Sequence, residues 1–105
     1  MAQCLLKIDQ LPDDAVKAAA TFYSEYLAEV EELLSSEKSA IAIWLPSAPK
    51  SHDDWRRAAA RDLARTYAPK RVNVVGGNDG VEIETILTYL DNAPGITGQY
   101  LASHE

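Results

Sequence analysis

Three stretches of this chain carry residue types that could do chemistry. Gly76-Gly77-Asn78-Asp79-Gly80 follows an apolar run and opens a helical pattern. Backbone amides at such a junction can cradle a phosphate. The spacing, however, matches neither G-x-G-x-x-G nor a loop ending in Lys-Ser/Thr. Asp79, Glu82 and Glu84 also crowd the helix start with carboxylates, which satisfy the helix dipole and repel phosphate, so a structural turn is expected. Ser51, His52 and Asp53/Asp54 supply the residue types of a hydrolase triad. Triad members normally meet from separate segments, and neighbours on a helix point to different faces. Helix capping is the simpler role, with Ser51 and Asp54 resembling a capping box. Cys4 lies in an apolar strand, where a thiol is buried and inert, and His104 falls on a frayed terminus. No catalytic, cofactor-binding or metal-ligating set is therefore expected. One cysteine and two histidines argue against both an internal disulfide and a structural zinc site.

A pocket is the remaining candidate. Trp44 and Trp55 flank one loop, and Trp44, Ser47, Gly76, Gly77 and Asn78 fall where strands end and helices begin. Open α/β sheets bind small molecules at such carboxyl ends of strands.

The elements that must hold these residues alternate. Cys4 to Ile8 is a short apolar run, and Ala40 to Leu45 is apolar on both pleat faces, as in an interior parallel strand. Arg71 to Val75 and Gln99 to Ala102 complete four strands. Between them lie a long helix from Asp13, a second ending at Ala68-Pro69, and a third from Val81 to about Leu90. In the first helix Val16, Ala20, Tyr23, Leu27, Val30 and Leu34 repeat at alternating spacings of four and three, an amphipathic face that predicts burial.

The chain has 105 residues, 25% of them charged, and a formal net charge of −6, which describes one domain over 1–105. No apolar run is long enough to span a membrane. The acidic balance excludes nucleic acid as the main partner. The N-terminus lacks a signal-peptide pattern, so a cytoplasmic location is expected. Charge is uneven: Arg56, Arg57, Arg61 and Arg65 mark the second helix, whereas the first is acidic. Solvated faces explain this, and so would an interface between the two helices, within the chain or between chains.

The run Leu63-Ala64-Arg65-Thr66-Tyr67-Ala68-Pro69-Lys70-Arg71-Val72-Asn73-Val74-Val75, followed by Ile86 to Leu90 and then Ile96-Thr97-Gly98-Gln99, resembles the C-terminal half of the short-chain dehydrogenases/reductases. The resemblance implies a truncated Rossmann-type domain. It places the family's Tyr-x-x-x-Lys positions at Pro49 and Asp53 and its catalytic serine near Ser47. A proline cannot donate a proton, and an aspartate cannot act for the lysine. The cofactor glycines of the family's first strand-helix unit have no counterpart here. The resemblance therefore implies a scaffold without cofactor or catalytic residues, and an enzyme is less expected than a non-catalytic protein.

The expected architecture is α/β, a half-Rossmann β-α-β-α-β-α-β unit with a four-stranded, mainly parallel sheet in sequential order. Right-handed crossovers advancing in one direction would put all helices on one sheet face. A parallel sheet needs cover on both faces, so a homo-oligomer or other protein partner is expected, with Tyr23, Tyr26, Leu27, Arg57 and Arg61 as interface residues. In the resembled family the long helices and the final helix-strand region make the oligomer contacts. The alternatives are a small-molecule binder at the strand ends and a reductase subunit completed in trans.

Overall fold

Apolar runs closed by proline, glycine or serine become strands, and the amphipathic stretches between them become helices. The computed structural model describes residues 3–103, so the expectation for His104 lies outside the described residues. The first half comprises β1 (Cys4–Lys7), α1 (Ala15–Thr21), a π-helical turn (Phe22–Tyr26), α2 (Leu27–Leu34) and β2 (Ala40–Leu45). A 3₁₀ turn (Lys50–His52), α3 (Asp53–Thr66), β3 (Arg71–Gly76), α4 (Gly80–Asp91) and β4 (Tyr100–Ala102) follow. The four strands form one parallel sheet in the order β1-β2-β3-β4. This is the expected half-Rossmann unit. β2 and β3 lie inside it because they are apolar on both pleat faces, and all of β2 except Trp44 is buried. No described helix is long and apolar enough to cross a membrane.

The helices do not share a face. Ile41, Ile43, Leu45, Val72 and Val74 meet Phe22, Val30 and Leu34 of the first helical segment and Ala59, Ala60 and Leu63 of α3. The alternate residues Ala42 and Val75 meet Ile83, Leu87 and Leu90 of α4. The third crossover thus steps the sheet in the same direction as the first two but carries its helix on the other side. Its hand is opposite to theirs, against the usual single-handed rule, which corrects the one-faced arrangement expected above. The shortage of cover is correspondingly smaller. On the α4 side, the exposed region is along β1, where Leu5 is 42% exposed and the Lys7 ammonium lies 4.3 Å from the Trp44 ring centre.

The buried face of the first helix also departs from the regular stripe. Val16 is 78% exposed and Tyr23 38% exposed, while Ala18 and Phe22 are fully buried. Val30 stands eight positions after Phe22, which on an ideal α-helix leaves them about 80° apart. The π turn takes up one extra residue and brings both onto the core. At the far end Lys70 Nζ donates to the Leu34 and Ser36 carbonyls, a cation placed where the helix dipole favours one.

Candidate functional site

The strand ends bring the sequence candidates together through hydrogen bonds. Trp44 Nε1–H donates to the Gly77 carbonyl at 2.8 Å, and the Ser47 amide donates to Asn78 Oδ1 at 3.1 Å. The five candidates divide between two cavities. Trp44, Gly77 and Asn78 line a small one of about 100 Å³ beside Lys7 and Asp9. Ser47 and Gly76 line a larger one of about 260 Å³, together with Lys50, Asp53, Tyr100 and Ser103. Gly76 is constrained by space: a Cβ there would lie 2.7 Å from Tyr100 Oη and 2.9 Å from Arg56 Nη1.

Arg56 and His52, named in the sequence for charge and for capping, are buried, which sequence reasoning missed. Arg56 is 1% exposed and His52 2%. The Arg56 Nη1 donates to Tyr100 Oη at 3.3 Å, and its Nε is buried without a hydrogen-bond partner. Its guanidinium lies 5.6 Å from the Trp55 ring and 5.8 Å from the Tyr100 ring. Among the described residues no carboxylate pairs with it, since Asp53 is 3.9 Å from Arg57 instead. A signal was present: Arg56 stands three, four and seven residues before Ala59, Ala60 and Leu63, on the helix's buried stripe. His52 makes no cap bond. Its Nδ1 accepts from Trp55 Nε1–H at 3.1 Å, and its Nε2 is 2.8 Å from the Asp13 carbonyl, to which it donates. That pattern is one neutral tautomer with both nitrogens used. Helix capping at Ser51, His52 and Asp53 is therefore corrected: α3 is entered through the 3₁₀ turn, with no side-chain cap.

The glycine loop does not fit a dinucleotide. The Asp79 carboxylate already accepts from the Val81 and Glu82 amides, so the donors a pyrophosphate would need are engaged by an anion. Pro49 and Asp53, at the resembled family's Tyr and Lys positions, flank the 3₁₀ turn. Cys4 is half-buried against the core and unpaired. Among the described residues no three metal-ligating side chains cluster.

The expected interface residues lie on the outer layer of helices. Tyr26 and Leu27 pack partly against the core, whereas Tyr23, Arg57 and Arg61 are exposed. Among the described residues no ion pair joins the acidic first helix to the arginines of α3. Tyrosines face carboxylates across this boundary instead: burial and then the Asp62 charge hold Tyr23 above its ordinary pKa, and burial and then Glu31 do the same for Tyr67. A different surface is more apolar. α4 and β4 enclose an open cleft of about 350 Å³ lined by Val81, Glu82, Thr85, Ile86 and Leu101, with Val81 76% exposed.

The two runs that carry the family resemblance are bonded to each other. Arg71 Nη1 donates to the carbonyls of Leu90, Ala93 and Ile96. The buried Asn73 donates to the Ile96 carbonyl at 3.0 Å and accepts from the Gln99 amide at 3.1 Å. Gly98, with φ of +74°, donates to the Val72 carbonyl at 2.8 Å. Arg71-Val72-Asn73 thus seats the Ile96-Thr97-Gly98-Gln99 turn. A family model described as short chain dehydrogenase-like protein matches residues 6–103. No curated protein and no solved structure matches the chain.

Proposed function

The chain belongs to the short-chain dehydrogenase-like family, and from that premise we propose that it is a non-catalytic module acting through protein contacts, first with a second copy of itself. The surface is that of α4 and β4. One observation carries the reading: the apolar cleft with exposed Val81 adjoins a sheet edge that has no charged residue. Unpaired strand edges invite pairing unless a charge blunts them. β1, at the opposite edge, carries Lys7, whereas β4 is Tyr100-Leu101-Ala102. Antiparallel pairing of two β4 edges about a two-fold axis would continue the sheet and bring both clefts to one interface. On the outer helical surface Tyr23 is 38% exposed, half the exposure of Val81.

Sedimentation from dilute to concentrated solution tests this. The expected mass rises from the 11.5 kDa of one chain to twice that value. Val81→Lys and Leu101→Lys keep the chain monomeric, and Tyr23→Ser leaves assembly intact. A single-chain mass at every concentration would overturn the reading, as would equal sensitivity to Tyr23→Ser.

A further inference from the structure

We propose that the buried guanidinium of Arg56 is the floor of an oxyanion site, open at the C-terminal ends of β2, β3 and β4, that takes a small carboxylate or phosphate. A buried charge is normally paired, because its desolvation is unfavourable without a counter-charge and full hydrogen bonding. Arg56 has neither among the described residues. It is 1% exposed, makes one hydrogen bond to a neutral phenol, and keeps a buried Nε without an acceptor. The flanking Trp55 and Tyr100 rings attract a cation but do not neutralise it. Its fork of donors matches the geometry of a carboxylate or phosphate.

One cavity is lined by the group and a second adjoins that cavity. Arg56 lines the first, of about 60 Å³, with Asp13, His52, Ser47 and Pro46, and the Asp13 backbone carbonyl there is bonded to His52. The larger, about 260 Å³, shares Ser47 and Ala48 with it and adds Lys50, Tyr100 and Ser103. Gly76 lies against both the guanidinium and the phenol, and a Cβ there would crowd both. Lys50 supplies a second cation at the rim. The rim carboxylate of Asp53 is offset by Arg57. The His52 nitrogens are both engaged, one with the Asp13 carbonyl and one with Trp55, so His52 packs the site without competing for the anion. Tyr100 puts the site on the α3 side of β4 and Leu101 puts the cleft on the α4 side, and the two meet at Ala102 and Ser103.

Calorimetry and thermal unfolding of the full chain with inorganic phosphate or acetate, against chloride at matched ionic strength, test the proposal. The expected result is saturable binding and a raised Tm with at least one oxyanion and not with chloride. Response to phosphate alone identifies a phosphate group, and response to both identifies oxyanions in general. Arg56→Met, which keeps the bulk and removes the charge, should weaken binding about tenfold or more. Lys50→Ala, at an exposed position, weakens it less, and its folding does not depend on the buried group. Absence of saturable binding overturns the proposal. So does binding that is unchanged in both variants.

Discussion

Asn73 is 1% exposed, yet both ends of its amide are used, one on the Ile96 carbonyl and one on the Gln99 amide. Replacing it by Leu would leave the Gln99 amide without its acceptor, at a cost of about 1–3 kcal/mol, while the Ile96 carbonyl would keep its bond from Arg71. Asn73→Leu should therefore lower the unfolding free energy by about 1–3 kcal/mol in urea titrations. Tyr67 gives a pH-dependent counterpart. Burial, then the charge of Glu31, then the hydrogen bond to it, raise the phenol above its ordinary 10.0. Below pH 10 the tyrosine is protonated in both states and its contribution is complete; above that value the unfolded chain loses the proton first, and stability falls as pH rises. Tyr67→Phe should flatten this alkaline decline in the urea midpoint, and an unchanged slope would refute it. At this scale the sequence was legible where residues come in linked runs, as Arg71-Val72-Asn73 and Ile96-Thr97-Gly98-Gln99 do. It was less so for Arg56 and His52, whose burial depends on Tyr100 and Asp13, both far away in the chain.

Elements were legible in type and order because apolar runs and amphipathic stretches are local signals. The face of the first helix was not, because a single π turn displaces the stripe. From Leu34 back to Leu27 the regular spacing holds, and N-terminal to that the buried positions fall one residue earlier, at Phe22 instead of Tyr23. Period counting assumes 3.6 residues in every turn. This yields a prediction particular to the element. Deleting exposed Ser24 leaves Val30 seven positions after Phe22, a spacing that a plain α-helix aligns within about 20°. The shortened helix should keep its core and stay within about 1 kcal/mol of the parent in chemical denaturation, the range of a surface change. Deleting exposed Asp62 from the regular α3 should abolish cooperative unfolding, because it swings Ala59 and Ala60 about 100° from Leu63. The position of α4 was likewise illegible, since crossover hand depends on how the loop before β4 is seated, and long-range bonds from Arg71 and Asn73 seat it.

Across the whole molecule the cover is diagonal: the first helical segment and α3 fill one side, and α4 crosses the other. The two sheet edges differ chemically, and that difference directs assembly to β4 in the reading above. α4 also reaches the opposite edge. Gln3, just before β1, donates its amide to Asp91 Oδ1 at 3.0 Å and its side chain to the Leu87 carbonyl at 2.9 Å. The wrong-handed helix is thus fastened to the beginning of the sheet as well as to its last strand. Such a strap couples local opening at two places far apart in sequence. In native-state hydrogen exchange the amides of α4, of β4 and of Gln3 should exchange with a shared free energy, below that of β2 and β3. Gln3→Ala should speed exchange at β4 although no described bond joins them, and exchange at β4 that ignores this substitution would show that the strap does not transmit. By this route the last strand's hold on the sheet depends in part on a residue at the other end of the chain.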